Sequence, residues 1–294
     1  MDHERPNFLH LGPEKTGTSW LYAMLAQHPD VHVNPVKEVR YLWEASAFPT
    51  EGLIGRFGHG DWHNRDYRAY LRERVRFYLR HPRAAVTSVE RLKWDCRYLF
   101  GRRSDAWFER LFRCSATHIS GDFSPQTSHL PPWDILRIAR AWPDVEVMLT
   151  LREPVEWAWS AARMSLIGDR DPAAIGDSEF HDFFIEYASY FPSASMIATW
   201  QRFFAGRFHL MWFDDIVADP DRVLSDVCHF LGLATAPVSG FEAVAQASNP
   251  GRKLALPARF RALLIELYRD EVELLAMRYS GHPRQWLERY RDTG

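Results

Sequence analysis

Short apolar runs alternate along the chain with longer amphipathic stretches. Four of the apolar runs have the length of strands and lie at residues 7–11, 117–121, 145–151 and 208–213. Short strands separated by helical stretches predict βαβ units and a parallel sheet. We therefore expect an α/β fold of three layers, in which helices flank a central parallel sheet, within a single domain of residues 1–294.

One stretch departs from this alternation, because residues 44–115 separate the first strand–helix unit from the next expected strand. We expect a mainly helical insertion there. Its arginine and aromatic residues are Arg65, Arg68, Arg72, Arg74, Arg76, Arg80, Tyr67, Tyr70, Phe77 and Tyr78. Two interpretations are open. Either the arginines line a solvated helix face, or the insertion caps an acceptor cleft, where arginines attract an anionic substrate and aromatic rings stack on it.

The most informative local pattern follows the first apolar run, where residues 12–20 read Gly-Pro-Glu-Lys-Thr-Gly-Thr-Ser-Trp. A glycine-punctuated turn lets backbone N–H groups converge on an anion, and the N-terminus of the following helix adds partial positive charge. Gly12 and Gly17 are spaced as in the P-loop of nucleoside-triphosphate enzymes, but the lysine stands before Gly17, at position 15. We expect a P-loop-like site for one short anion, a phosphate or sulfonate. Its side-chain donors are Lys15, Thr16, Thr18 and Ser19.

Composition narrows the class of protein. The net charge of −2 lacks the basic excess of a dedicated nucleic-acid binder. The three cysteines, Cys96, Cys114 and Cys228, are few and far apart, which favours a reducing compartment over a disulfide framework or a zinc site. His59 and His63 have ligand-like spacing, but the glycines around them argue against a rigid metal-binding helix. We therefore expect no metal. No stretch has the roughly 18 apolar residues of a membrane span, so we also expect a cytoplasmic protein with no membrane association.

The run at 15–20 closely resembles the 5′-phosphosulfate loop of sulfotransferases that use 3′-phosphoadenosine 5′-phosphosulfate (PAPS). A second motif supports the resemblance, because Arg152 at an expected strand end is followed by Ser160 on a helix, as in the motif with which these enzymes hold the 3′-phosphate. A guanidinium fork and a serine hydroxyl suit a phosphate chemically. The resemblance implies PAPS as co-substrate, with its phosphosulfate on Lys15, Thr16, Gly17, Thr18, Ser19 and Trp20.

Two weaker matches extend the resemblance. The stretch Val-Lys-Glu-Val-Arg-Tyr-Leu at 36–42 is similar to the segment that carries the catalytic glutamate of glycan O- and N-sulfotransferases, which implies Glu38 as base. Without the resemblance, Glu38 would be interpreted as a surface carboxylate paired with Lys37 or Arg40. Near the C-terminus, a Gly-Arg-Lys run resembles the loop that closes over the nucleotide in heparan-sulfate-type and bacterial relatives, or it is an exposed basic turn. Its residues are Gly251, Arg252 and Lys253.

The chain departs from the family at residues 121–125, Gly-Asp-Phe-Ser-Pro, where glycan enzymes often carry Glu-Lys-Ser/Thr-Pro. Asp122 fits the acidic position, but Phe123 replaces the lysine. This difference weakens the case for a heparan-like acceptor. It leaves Asp122 as a second possible base, or as a residue that orients Lys15.

These patterns lead to one expected function and two rivals. We expect transfer of a sulfuryl group from PAPS to a hydroxyl or amine of a small-molecule or glycan acceptor, with Glu38 as base and Lys15 neutralising the departing oxygen. The first rival is a P-loop kinase that uses ATP and Mg²⁺ with Asp122 as the metal-holding acid, and the second is a catalytically silent binding module. The acceptor and the oligomeric state stay open. A further set of aromatic residues has two open interpretations, because these residues either line the acceptor cleft or belong to the core. They are Trp43, Trp62, Phe183, Phe184, Tyr187, Tyr190 and Trp200.

Overall fold

A computed structural model describes residues 5–47, 65–83, 88–114, 117–234 and 254–291. Its centre is a five-stranded, entirely parallel sheet with strand order β2-β3-β1-β4-β5. The strands are β1 (Phe8–Leu11), β2 (Val31–His32), β3 (Ile119–Asp122), β4 (Glu146–Leu151) and β5 (Phe208–Trp212). The predicted α/β fold is confirmed, and the four expected strands lie within two residues of their predicted limits. The sequence pattern missed β2, which has only two residues.

Helices make up most of the remaining described chain. They are α1 (Thr18–Leu25), α2 (Tyr41–Ala47), α3 (Arg65–Arg80), α4 (Val89–Phe100), α5 (Asp105–Leu111), α6 (Pro132–Ala141), α7 (Pro154–Ala162), α8 (Asp177–Ala188), α9 (Ala194–Phe203), α10 (Phe213–Ala218), α11 (Pro220–Phe230), α12 (Ala258–Arg278) and α13 (His282–Arg291). No helix in the described ranges is both long and apolar enough to cross a bilayer.

Helices pack on both faces of the sheet because side chains alternate between the two faces of a strand. Leu9 and Leu11 of β1 point into the larger core, which includes residues of α6, α7 and α12. Phe8 of β1 and Met148 of β4 point into the second core, together with residues of α1 and α11. The sheet is therefore the middle of three layers, as expected.

The strand order brings distant loops to one edge of the sheet. β1 lies in the middle, with Leu9 opposite Asp122 of β3 and Leu11 opposite Leu149 of β4. Because all strands run in the same direction, the segments that follow β1, β2, β3 and β4 leave from the same edge. Ligands of open α/β sheets bind at this carboxyl edge, where the strand order reverses.

Helices α3 to α5 lie within the range in which an insertion was expected, and residues 48–64, 84–87 and 115 of that range are outside the described chain. A buried carboxylate joins α3 to α4. Asp95 of α4, 2% exposed, accepts hydrogen bonds from Arg74 Nε at 2.8 Å, Tyr70 Oη at 2.6 Å and Tyr78 Oη at 2.8 Å. At least one arginine of the insertion, Arg74, is therefore engaged in packing and does not face water.

We predict that Asp95→Ala lowers the free energy of unfolding by about 3–5 kcal/mol, because removing the carboxylate leaves the buried Arg74 guanidinium without its partner. Urea denaturation followed by tryptophan fluorescence measures the change. Glu90→Ala is the matched control on the same helix, since Glu90 pairs with Lys93 at the surface, and exposed pairs contribute little. Equal losses in the two variants would contradict a structural role for Asp95.

Candidate active site

The loop that follows β1 fits closely against the residues after β3. A Cβ atom on Gly12 would lie 2.4 Å from Cβ of Pro125, so only glycine allows this approach. The Gly12 N–H donates to the Pro125 carbonyl at 3.3 Å. At the other end of the loop, Gly17 has a φ of 91° and precedes the first residue of α1. Glycine adopts this left-handed conformation without strain, and it turns the chain into the helix.

The middle of the loop is held by side chains from the region after β4. Arg152 Nη1 donates to the Lys15 carbonyl at 3.1 Å, and Trp157 Nε1 donates to the Glu14 carbonyl at 2.7 Å. Lys15 itself has a φ of 66°, which is uncommon for a residue with a side chain. Such conformations persist where the surroundings fix them, and they cluster at functional sites.

A cavity of about 340 Å³ lies beside this loop, at the N-terminus of α1. It brings together the two sequence motifs, which are more than 130 residues apart. The lining residues are Lys15, Gly17, Thr18, Ser19, Trp20, Arg152, Ser160, Phe213, Ile216, Val217 and Pro220. Thr16 is buried, and its hydroxyl donates to the Pro13 carbonyl at 2.8 Å, inside the loop. Gly251, Arg252 and Lys253 lie outside the described residues.

Helix α7 places Ser160 in this cavity. Glu153 caps the helix, because its carboxylate accepts hydrogen bonds from the backbone N–H groups of Val155 at 3.2 Å and Glu156 at 2.7 Å. Pro154 occupies the first helical position, where its missing N–H costs nothing. The strand end at Arg152 and the helix with Ser160 are thereby joined by a rigid turn.

Positive charge is concentrated around the cavity. Burial lowers the pKa of Lys15, and the charges of Arg152 and Arg163 lower it further. Burial also lowers the pKa of Arg152, and Arg163 again acts in the same direction. Three cations therefore repel one another beside a helix N-terminus. A bound anion would relieve this repulsion, so we call this space the anion cavity.

The structure adds a lysine that the sequence analysis did not assign to the loop. Lys37 Nζ donates to Thr18 Oγ1 and to Ser19 Oγ, both at 3.0 Å, and lies 3.6 Å from Glu38 Oε1. Because the two hydroxyls accept from Lys37, each can still donate its own hydrogen to an anion. Burial lowers the pKa of Lys37, and the Glu38 carboxylate opposes that effect. The signal in the sequence that could have identified Lys37 is its position directly before Glu38.

Glu38 lies next to the anion cavity on the segment that follows β2. Its Oε2 accepts from Arg40 Nη2 at 2.9 Å and Nε at 3.1 Å, and Gln126 Nε2 lies 3.5 Å away. The side chain is 23% exposed, so a ligand can reach the carboxylate. Arg40, like Lys15, has a positive φ, of 59°. Among the described residues, the two non-glycine residues with a positive φ are Lys15 and Arg40, and both therefore belong to the site.

Asp122 has a different environment from Glu38. It ends β3, is 2% exposed and accepts from the Val39 N–H at 3.4 Å. The Arg40 N–H donates to the neighbouring Ser124 Oγ at 2.9 Å, so the end of β3 clamps the backbone just after Glu38. Burial raises the pKa of Asp122 to about 7, against the hydrogen bonds that it accepts. Phe123, which follows Asp122, is buried in the core.

A second cavity, of about 240 Å³, lies on the other side of the loop and is called the aromatic cavity here. It is lined by Pro13, Glu14, Trp43, Pro125, Gln126, His129, Trp157, Tyr187 and Tyr190. Gln126 Nε2 donates to Glu14 Oε1 at 3.0 Å and also approaches Glu38. Of the aromatic residues expected in a cleft or in the core, Trp43, Tyr187 and Tyr190 line this cavity. Phe184 and Trp200 are fully buried in the core, Phe183 packs against it, and Trp62 lies outside the described residues.

In the described part of the chain, no three His, Cys, Asp or Glu side chains form a group that could hold a metal ion. His59 and His63 lie outside that part.

Comparisons with known proteins agree with this geometry. A family model described as the sulfotransferase family matches residues 6–237. The crystal structure of a sulfotransferase from Alicyclobacillus acidocaldarius has the same fold, with a TM-score of 0.58 at 21% identity, and the match covers 96% of this chain and 98% of that one. No protein among the curated sequences matches.

Two other solved structures are more distant. The sulfotransferase domain of the Synechococcus PCC 7002 olefin synthase has 18% identity and a TM-score of 0.46, with coverage of 96% of this chain and 98% of that one. A mouse sulfotransferase complexed with PAP has 13% identity and a TM-score of 0.47, with coverage of 97% and 89%. Because the family model spans well over half of the sequence, the chain belongs to the sulfotransferase family and is a sulfotransferase.

Proposed function

We propose that this enzyme moves the sulfuryl group of PAPS to a hydroxyl or amine of an acceptor bound in the aromatic cavity, in line and with Glu38 as base. The observation that carries the proposal is the anion cavity, where the loop at 15–20 meets Arg152 and Ser160. The two cavities lie on either side of the loop, and Gln126 links Glu14 of one to Glu38 beside the other.

In this proposal, the backbone N–H groups of residues 16–20 and the N-terminus of α1 bind the 5′-phosphosulfate. Arg152 offers its guanidinium fork to the 3′-phosphate, and Ser160 adds a hydroxyl donor. Gly251, Arg252 and Lys253 would close over the nucleotide from the C-terminal side. The mutual repulsion of these half-buried cations favours a dianionic group over neutral ligands.

The transfer step needs positive charge at the departing bridging oxygen and around the oxygens of the sulfuryl group. A bond forms between the acceptor atom and sulfur, while the bond from sulfur to the bridging phosphate oxygen breaks and leaves its electron pair on PAP. Lys15 would neutralise the departing oxygen. Lys37, held by Thr18 and Ser19, would contact the sulfuryl oxygens. It supplies a cation in a chain where Phe123 replaces the lysine of glycan enzymes. Preorganised charges of this kind account for much of the rate of such transfers.

The proton of the acceptor goes to Glu38, which is within reach of ligands, whereas Asp122 is buried behind the backbone of residue 39. We therefore assign Asp122 to positioning. Three side chains would hold Glu38 in place for this role, namely Arg40, Lys37 and Gln126.

We further propose that the chain is one domain and that the insertion at 44–115 caps the acceptor side of the site. A polar cavity of about 360 Å³ between the segment at 35–40 and helices α3 and α4 supports this, and Glu38 lines it. Arg40 Nη2 also contacts Asp66 Oδ2 of α3 at 2.9 Å, which ties the insertion to the base.

We predict that the protein binds PAP without metal and that chelator leaves the affinity unchanged. Arg152→Met should weaken binding by about 10- to 100-fold, because it removes charge-assisted hydrogen bonds to a phosphate. Isothermal titration calorimetry measures both effects. Arg140→Met, an exposed change at the end of α6, is the control. Tighter binding of ATP with Mg²⁺ than of PAP would favour the kinase and contradict this assignment.

We predict that Glu38→Gln and Lys15→Ala each lower kcat by roughly 10²–10⁴ while the fold stays intact, the range for losing one acid/base or charge-stabilising group. Release of PAP from PAPS, measured over a panel of phenols, alcohols, amines and sugars, gives the rate. Turnover of Glu38→Gln at the wild-type rate would reject Glu38 as base. If the wild-type protein binds PAP but releases none from PAPS with any acceptor, the silent binding module is favoured.

We predict that Asp122→Asn retains kcat within about tenfold, because the amide still accepts the backbone hydrogen bond and takes no part in proton transfer. It should also change the pH dependence of stability. Asp122 has a raised native pKa, so between about pH 4 and 7 the native state binds a proton that the unfolded state has lost. Wild-type stability therefore falls as pH rises through this window.

Asp122→Asn has no carboxyl group at this position and therefore lacks this pH-dependent contribution to stability. Urea denaturation at several pH values from 4.5 to 7.5 should show a flatter profile for Asp122→Asn than for the wild-type protein. A loss of kcat as large as that of Glu38→Gln, with binding of PAP unchanged, would instead make Asp122 the base.

A further inference from the structure

We propose that the acceptor carries a positively charged amine, which the aromatic cavity binds between its rings and the carboxylate of Glu14. The acceptor would thus be a compact molecule with a hydroxyl at one end and an ammonium group at the other. This inference rests on the proposed function, because it assumes that the aromatic cavity is the acceptor site.

The location of the cavity fits an acceptor. Glu14 belongs to the same loop as Lys15, and Trp157 holds its carbonyl at 2.7 Å. Gln126 connects the Glu14 carboxylate at 3.0 Å with the proposed base Glu38 at 3.5 Å. A molecule in the cavity therefore contacts the loop at Glu14, and Gln126 lies between Glu14 and the proposed base. The volume of about 240 Å³ is below the roughly 300–1,000 Å³ of drug-sized ligand sites, so a compact molecule fits.

The walls of the cavity are aromatic and ordered. Trp157 and Tyr187 stack with ring centroids 4.5 Å apart, and Tyr187 stacks on Phe183 behind it at 5.2 Å. Tyr190, 48% exposed, lies next to Tyr187 with ring centroids 5.8 Å apart and packs edge-on to His129. Because Tyr187 stacks with both Trp157 and Phe183, and Trp157 is fully buried, the ring of Tyr190 is the one most open to a ligand. The face of a tyrosine ring carries negative charge density and attracts cations within about 6 Å.

Glu14 is the only acidic residue that lines the cavity in the described chain, and no lysine or arginine lines it. Burial lowers the pKa of His129 to about 4, so the imidazole is neutral near pH 7. Burial and then the Glu14 carboxylate raise the pKa of Tyr187, which keeps its hydroxyl protonated. A cation entering this cavity meets rings and a carboxyl group without any competing positive charge from the walls.

Among the described residues, the side chain that donates a hydrogen bond to the Glu14 carboxylate is the neutral amide of Gln126. Burial raises its pKa and the charge of Glu38 raises it further, whereas Arg40, Gln126 and Lys15 oppose this. Arg40 is already paired with Glu38 and with Asp66. An ammonium group beside Glu14 would stabilise the carboxylate, while a neutral ligand would bury it further and an anionic ligand would be repelled.

Three phenols of similar size test the charge preference: tyramine, which carries an ammonium group, tyrosol, which is neutral, and 4-hydroxyphenylacetate, which is anionic. Calorimetry with the PAP-saturated protein should give tyramine an affinity at least tenfold higher than that of tyrosol. It should give 4-hydroxyphenylacetate the lowest affinity. In Glu14→Gln, which keeps the shape and a partner for Gln126, the ratio of tyramine to tyrosol should fall to about one.

A second pair of variants tests the ring faces. Tyr190→Leu should weaken tyramine binding by about two- to fivefold while tyrosol binding changes less, because an exposed cation–π contact is lost. Tyr190→Phe keeps the ring and should retain the tyramine affinity. Equal losses in the two variants would assign the effect to the hydroxyl and would overturn the cation–π part of the inference.

Equal binding of tyramine and tyrosol, no binding of tyramine, or an unchanged ratio in Glu14→Gln overturns the inference. The titration with PAP separates this failure from that of the proposed function. If PAP binds and the phenols show no charge preference, only the acceptor class is wrong. If PAP does not bind, the proposed function itself fails.

Discussion

The site depends on one constraint, which is that several half-buried cations lie beside a single loop. Burial lowers the pKa of Lys15 and of Arg152, the charge of Arg163 lowers both further, and Lys37 reaches the same loop from the segment after β2. Such an arrangement needs a fold that holds it firmly, and in the proposed function a bound anion offsets the repulsion. The close fit of Gly12 on Pro125 and the hydrogen bonds to the loop carbonyls provide the firm support.

Two acidic residues near this loop illustrate how burial separates roles. Asp122 and Glu38 are joined through the backbone at residue 39, but only Glu38 is open to ligands. The buried carboxylate has a raised pKa and anchors a backbone turn. The accessible one is held by Arg40 and is free to meet an acceptor. In the proposed mechanism, the buried Asp122 positions the base Glu38, which is the usual relation between a catalytic side chain and its support.

The sequence predicted much of the fold. The strands were found from short apolar runs, and the motif residues Lys15 and Ser160 were placed on elements that the structure bears out, a turn before α1 and the body of α7. These predictions succeeded because they depend on local pattern, namely strand period, helix period and glycine spacing. The sequence pattern did not predict β2, because two residues are too few to show a period.

The sequence by itself therefore determined the fold class, the anion loop and the family resemblance, since each is written in residues that are neighbours along the chain. Tertiary structure alone decided that Lys37 contacts the loop hydroxyls and that Asp122 is buried. It also decided that Glu14, Gln126 and Tyr187 surround one cavity. These contacts join residues from 18 to more than 100 positions apart, and no periodicity in the sequence encodes where separate loops meet at the edge of a folded sheet.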